Sequence, residues 1–272
     1  MPPLTIHYSP FTEFLTFAHA LADAAGAVIR PYFGAHGEVE AKGDNSPVTR
    51  ADREAEAAMR ALIDQHYPDH AIYGEEGGQK KTISEYCWVI DPIDGTRAFI
   101  EGRREWGTLI ALCADGVPIL GILDQPITGE RWVGVNGTVS SYTVTPAEAG
   151  TTDPCKTRPC ATLADAEFST TSALFFTPVQ AKQVIALAQS CRRAVRDGDC
   201  YAYGLLARGE RDIVIDAGLK PYDILALVPI IEGAGGKITG WDGAPITLTH
   251  YADVVATGDA GLHAEVVGLL GV

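Results

Sequence analysis

An apolar strand that runs into two carboxylates opens the chemistry of this chain. Trp88-Val89-Ile90 leads directly into Asp91-Pro92-Ile93-Asp94-Gly95-Thr96, with the two acids three residues apart. Acids so placed repel each other and resist desolvation unless a cation offsets them. Two more clusters repeat the theme. Gly74-Glu75-Glu76-Gly77-Gly78 follows the apolar Ala71-Ile72-Tyr73, and Lys220-Pro221-Tyr222-Asp223-Ile224-Leu225-Ala226 sets one acid in an apolar run. Hard oxygen donors of this kind suit Mg²⁺, which takes a few carboxylates together with water and substrate phosphate oxygens. Taken singly each acid has a plainer reading, in which Asp91 caps a turn, Asp94-Gly95 makes another, and Glu75 and Glu76 are solvated. Taken together, three clusters that each end an apolar segment or open a helix favour binding of a cation and a phosphate.

Competing motifs fail on spacing. A Ca²⁺ loop starting at Asp91 needs Gly where Thr96 stands and Glu where Gly102 stands. An aspartyl-phosphate nucleophile needs acids two apart. There is no GxxxxGK[ST], no HExxH and no GxSxG.

The sequence DPIDGT at 91–96, with GEE upstream and PYDILAL downstream, resembles the inositol monophosphatase superfamily of Mg²⁺-dependent, lithium-sensitive phosphomonoesterases. The similarity runs from KGDNSPVTRAD at 42–52 to EGAGG at 232–236. It implies a layered α/β fold, an αβαβα sandwich, with two to three Mg²⁺ per subunit and a homodimer. It also implies that Glu75, Asp91 and the Ile93 carbonyl hold a first metal and that Asp91, Asp94 and Asp223 share a second. A third, weaker ion leans on Glu75 through water. By the same resemblance Glu75 and Thr96 orient and deprotonate the attacking water, Asp44 holds Thr96, and the N–H groups of Gly95 and Thr96 meet phosphate oxygens.

Substrate choice rests on the second half of the chain. The segments at 106–112, 123–134 and 196–236 look like the histidinol-phosphatase branch, and Tyr222-Asp223 stands where typical inositol monophosphatases carry Trp-Asp. Histidinol phosphate carries an ammonium and an imidazole, for which Asp199 and Asp216 are the expected partners. Asp216 occupies a position where inositol enzymes use an acid for ring hydroxyls, so it does not discriminate alone, and Asp199 is equally a simple helix cap. The reading is therefore hydrolysis of L-histidinol phosphate to L-histidinol and phosphate. Its alternatives are an inositol-1-phosphate phosphatase or another small phosphomonoesterase and, from a different class, a non-catalytic metal- and phosphate-binding protein. Arg103, Arg104 and Trp106 either close over substrate or form a solvated loop. Glu232 is a candidate contact to substrate in a neighbouring subunit. His66 and His70 read as surface residues.

The elements that must carry these groups follow from periodicity. Apolar residues at helical spacing predict helices over 12–33 and from Thr49 or Asp52 to Pro68. Strands are expected at 71–73, 86–90, 108–113, 119–124 and 131–135, with Gly and Pro turns between them. Composition shifts to Thr, Pro, Ala, Gly and Asp over 145–161, which predicts a metal- and phosphate-binding half at 1–145 and a substrate-binding half at 146–272. In the second half, strands are expected at 168–170, 194–196, 212–215, 237–238 and 254–256. Helices are expected at 179–193, 199–208, 221–232 and 261–270.

The 272 residues carry 21 Lys and Arg against 35 Asp and Glu, a formal charge of −14. That balance argues against nucleic acid and anionic lipid as partners, but not against a small phosphorylated metabolite if a cation reverses the local sign. No apolar run approaches the ~20 residues of a membrane helix. The N-terminal segment has no basic region followed by an apolar one. The six scattered cysteines read as free thiols in a reducing cytoplasm.

Overall fold

The computed structural model describes residues 10–34, 39–41, 47–145, 152–196 and 198–271. Asp44 lies outside the described residues. Helix α1 (Pro10–Ile29) and helix α2 (Arg50–His66) flank a short pair of strands, β1 (Val39–Ala41) and β2 (Pro47–Thr49). Then come β3 (Ala71–Gly74), β4 (Gly78–Lys80), β5 (Tyr86–Asp94) and the short helix α3 (Thr96–Ile100). The meander continues through β6 (Gly107–Ala114), β7 (Val117–Gln125), β8 (Glu130–Val135), β9 (Ser141–Val144) and β10 (Thr152–Pro154). These strands form one eight-stranded sheet in the order β10-β9-β8-β7-β6-β5-β3-β4, antiparallel except where β3 runs parallel to β5.

A second, five-stranded sheet follows, in the order β12-β11-β13-β15-β14. Its strands are β11 (Glu167–Thr170), β12 (Arg193–Arg196), β13 (Ile213–Asp216), β14 (Lys237–Gly240) and β15 (Val254–Thr257). Its helices are α4 (Pro178–Ser190), α5 (Asp199–Ala207), α6 (Pro221–Ile224), α7 (Leu227–Gly233) and α8 (Ala260–Leu270).

Alternation along the strands sorts these elements into five layers, because successive side chains face opposite sides of a sheet. Trp88, Ile90, Ile110, Leu112 and Ile122 pack against Leu21, Ala25, Met59 and Ile63 of α1 and α2. Val89, Leu109, Ala111, Leu123 and Trp132 face the opposite way, onto α5, α7 and the inner face of the second sheet. The outer face of that sheet, with Phe168, Ile213, Ile215 and Val255, is covered by α4 and α8 through Val184, Leu187, Leu262 and Val266. The order is helix, sheet, helix, sheet, helix, as expected from the resemblance. The layer between the sheets holds α5, α6 and α7. A Cβ on Gly121 would overlap the Ala226 carbonyl oxygen, and one on Gly134 would overlap Pro229, so these two glycines let the α6–α7 segment lie directly on β7 and β8.

Some elements differ from the pattern reading. The helix expected over 221–232 is two, broken between Ile224 and Leu227. Strands β4, β9 and β10 are short edge or turn-flanking pieces, too brief for a periodic signal. His70 is not a surface residue. Its ring stacks on Tyr67 and Tyr86 at 4.7 and 5.0 Å and accepts from the Trp88 indole N–H at 3.2 Å. The turn after Pro68 folds it back onto the core, whereas His66 stays exposed. All six cysteines are free, and no helix among the described residues is long and apolar enough to cross a membrane.

Candidate active site

Strand β5 carries its two acids at its C-terminal end, Asp91 still buried and Asp94 partly exposed. Asp91 is 1% exposed, and its Oδ1 accepts from the Ile93 N–H at 3.0 Å, so the turn-capping reading of this residue is part of the picture. The pairing of β5 with β6 shifts register between Asp91 and Asp94. Such an irregularity re-aims the side chains beyond it. Thr108 on β6 supports this segment from below by donating its hydroxyl to the Pro92 carbonyl at 2.8 Å.

Asp223 arrives from α6. It sits in the first turn, where its Oδ2 accepts from the Lys220 N–H at 2.7 Å, a local bond that fixes the carboxylate. The adjacent Tyr222 packs edge-on against Tyr73 of β3, with ring centroids 5.9 Å apart. Ligand oxygens of Asp91, Asp94 and Asp223 all lie within 4.8 Å of one another. Glu75, in the turn between β3 and β4, lies within hydrogen-bonding reach of Asp91.

The electrostatics of this group are those of crowded acids. Burial first, then Glu75, Asp94 and Asp223, push the Asp91 carboxyl well above its ordinary range. Burial, Asp199 and Asp223 do the same to Asp94, against the opposing pull of Cys200. Burial raises Asp223 to about 7, with the Lys220 N–H opposing and Glu75 adding to it. Among the described residues, no lysine or arginine lines the cleft. Three close carboxylates that disfavour their own ionisation fit a divalent cation, since bound positive charge inverts that penalty.

Thr96 opens α3, and its hydroxyl donates to the Ile93 carbonyl at 3.2 Å, joining two groups singled out from sequence. Between them Gly95 has φ +93°, where a side chain would meet the Glu105 carbonyl, Trp106 and the Asp199 carboxylate, at 2.9 to 3.0 Å. Asp199 therefore stands against Gly95 at the start of α5. The helix cap is Gly198, with no side-chain cap bond, so Asp199 is not the simple cap considered from sequence. Asp199 itself has φ +39°, an uncommon conformation for a residue with a side chain. Asp216, at the end of β13, is 3% exposed and lines the same cleft. Burial raises it to about 6 against donors from the Thr171 N–H at 2.8 Å, the Tyr203 hydroxyl at 2.9 Å and the Thr170 hydroxyl at 3.3 Å.

The remaining candidates lie elsewhere. Trp106 is fully buried against Phe99 and Phe33 rather than poised over the cleft. Arg103 is exposed and paired with Glu101 at 2.8 Å and Glu105 at 3.5 Å, Arg104 is exposed, and so is Glu232.

Sequence reasoning missed three contributors. The Cys200 N–H donates to Asp94 Oδ2 at 2.6 Å, so the first turn of α5 holds the second acid of the strand. Phe175 lines the cleft while 55% exposed, an aromatic wall among acids. Glu56 of α2 is 1% exposed and grips the turn that bears Glu75. Only Glu56 left a signal, as an acid on the buried face of a helix four residues before Arg60.

The family model for the inositol monophosphatase family matches residues 11–270. The chain is 44% identical over 272 residues to the bifunctional phosphatase IMPL2, chloroplastic, of Arabidopsis thaliana, covering 97% of this chain and 76% of that protein. It is 34% identical over 260 residues to the histidinol-phosphatase of Mycobacterium tuberculosis, covering 93% of this chain and 96% of that protein. A solved inositol monophosphatase from Zymomonas mobilis superposes with a TM-score of 0.87 at 42% identity, over 97% of this chain and all of that one.

Proposed function

The chain belongs to the inositol monophosphatase family of phosphomonoesterases, and from that premise we propose that its substrate is L-histidinol phosphate, cleaved to L-histidinol and inorganic phosphate. The observation that carries this reading is the cleft beyond the acid cluster. Asp199 and Asp216 line it together with the phenyl ring of Phe175, and no basic residue does so among the described residues. A leaving group with an ammonium and a planar imidazole complements two carboxylates and an aromatic face. The histidinol-phosphatase of M. tuberculosis, at 34% identity, supports the same choice. The 42% identity to the Zymomonas inositol monophosphatase favours inositol 1-phosphate as the alternative. Side-by-side turnover of the two esters decides between them, and a clear preference for the inositol ester sinks the histidinol assignment.

In this reading Asp91, Asp94, Asp223, Glu75 and the Ile93 carbonyl hold two to three Mg²⁺. When bound, the metal neutralises phosphate charge and makes water acidic enough to attack phosphorus near neutral pH. The protein's own part is positional. The Cys200 N–H keeps Asp94 turned into the cleft, and the Lys220 N–H does so for Asp223. Thr96 and Glu75 orient the attacking water, and Glu75 takes its proton. Gly95 and Thr96 present backbone N–H groups to the phosphate, with Asp44 steadying Thr96. Asp199 and Asp216 hold the cationic leaving group so that the ester oxygen departs opposite the entering water.

We further place the protein in the cytoplasm as a homodimer. Subcellular fractionation checks the first, since the Arabidopsis relative is chloroplastic. Light scattering on the purified chain checks the second.

A further inference from the structure

The turn that presents Glu75 is gripped from outside the cleft. Only residues 75–77 separate β3 from β4, and a turn this short leaves backbone N–H groups without ladder partners. Glu56 supplies them. Its Oε2 accepts from the Glu76 N–H at 2.7 Å, and its Oε1 accepts from the Gly77 N–H at 2.7 Å. Arg60, one helical turn on, donates Nε to the same Oε1 at 2.6 Å and Nη2 to the Gly78 carbonyl. A Cβ on Gly74 would overlap Glu56 Oε1, and one on Gly77 would lie 2.9 Å from it. Gly74 at the end of β3 and Gly77 in the turn therefore make room for the carboxylate. On the other side, the Glu75 N–H bonds to the Ile90 carbonyl of β5 at 3.3 Å, one residue before Asp91.

A carboxylate is the group this arrangement requires. Both oxygens accept at once, whereas a carboxamide offers one acceptor and would turn its NH₂ toward a backbone N–H or the Arg60 guanidinium. Bonds to an ionised acceptor are also about twice as strong as neutral ones. We propose that Glu56 is a positioning residue that holds the 75–77 turn so that Glu75 faces Asp91, and thereby sets the affinity of the cleft for a divalent cation. The proposal rests on Glu75 being a metal ligand.

Calorimetric titration of Mg²⁺ alone into wild type, Glu56→Gln and Glu56→Asp tests it, with circular dichroism establishing that each variant is folded. Outer partners of metal ligands typically contribute about 10- to 100-fold to affinity, and a loss of that size is expected for both variants. Glu56→Asp keeps the charge and shortens the reach, so weakening there separates position from charge. Unchanged Mg²⁺ affinity in folded Glu56→Gln, or weakening in Glu56→Gln but not in Glu56→Asp, overturns the proposal. If Glu56→Gln does not fold, Arg60→Gln carries the test, because it leaves the Glu56 carboxylate in place and removes the Arg60 bonds to Glu56 Oε1 and to the Gly78 carbonyl. Weakening at the lower end of that range, about 10-fold, is expected there, and wild-type affinity overturns the proposal. A wild-type protein that binds no Mg²⁺ overturns it together with the metal assignment. The ester turnover comparison reads the substrate assignment separately.

Discussion

Asp91 and Asp212 are both acids removed from solvent, at 1% and 0% exposure, and their surroundings are opposite. Asp212, just ahead of β13, accepts from Arg158 Nε at 2.7 Å and Arg158 Nη2 at 2.5 Å, and from the Glu167 N–H at 2.7 Å. Its charge is met by a forked cation and a backbone donor, the geometry in which a buried acid is structurally sound. Asp91 has one short-range backbone donor, and the charged groups that press on it are Glu75, Asp94 and Asp223. One site is closed within the protein. At the other, the charged groups that press on the acid are all acids among the described residues. Buried carboxylates therefore divide by whether their charge is met internally, and the unmet ones mark the chemistry.

The widest test of that division is Asp94→Asn, which keeps an oxygen for the Cys200 N–H and removes one charge from the cluster. Phosphate release is expected to fall on the order of 10³-fold, about 4 kcal/mol of transition-state stabilisation. The melting temperature of the metal-free protein should hold or rise, because repulsion is relieved. A variant with near-normal turnover, or one that melts early, breaks the comparison.

His263 sharpens it from the scaffold side. It is 1% exposed and bonded to the Thr239 and Thr257 hydroxyls at 2.8 and 3.2 Å, and burial with Lys237 nearby lowers its pKa to about 4. A folded pKa below the unfolded value of 6.5 means that the unfolded chain binds the proton more readily. Stability from this residue is thus complete above about pH 6.5 and is lost as pH falls toward 4. The loss is on the order of 3 kcal/mol. Denaturant unfolding at pH 7.5 and 4.5 should show a smaller pH difference in His263→Gln than in wild type, and equal differences would dismiss the role.

Asp212→Asn should act on stability alone. Losing the charge and one of the two acceptor oxygens leaves the Glu167 N–H or part of the Arg158 fork unmet, which costs about 2 kcal/mol, read as a lower urea midpoint, with kcat of the folded enzyme unchanged. A kcat that falls without a midpoint shift would place Asp212 on the functional side. The smallest effect is expected at Phe175→Ala. KM for histidinol phosphate should rise about 3- to 10-fold, the worth of one aromatic contact, while turnover of glycerol 2-phosphate stays the same. Equal changes for both esters would remove Phe175 from substrate choice.

Much of the first half was readable because its information is local. The stripes Leu21-Ala22-Ala25 and Ala55-Met59-Ile63 announced two helices packing on one sheet face. Asp91, Ile93, Asp94, Gly95 and Thr96 lie within six consecutive residues, so strand geometry alone brings them together. What escaped depends on contacts between distant segments. Cys200 reaches Asp94 across 106 positions of sequence, and Glu56 reaches the Glu75 turn from a separate helix. The orientation of a helix start or an interior acid toward a strand end is set by packing, and no periodicity encodes it. Trp106, which the sequence offers either as closing over substrate or as part of a solvated loop, does neither for the same reason, since its neighbours Arg103 and Arg104 are polar and exposed while its ring turns into the core.

By itself, then, the sequence determined the kind of chemistry, because hard oxygen donors crowded at the end of an apolar strand can be satisfied by few things other than a divalent cation and its phosphate. It also determined the alternation of helix and strand, because hydrophobic period follows backbone geometry. Tertiary structure alone decided which acids join that cluster and which are neutralised elsewhere. Asp223 reaches Asp91 and Asp94 because Gly121 and Gly134 let the α6–α7 segment settle onto the sheet. Asp212 is equally acidic in sequence, but Arg158 meets it first. Whether a buried carboxylate is structural or functional is a property of its nearest opposite charge, and that charge comes from across the fold.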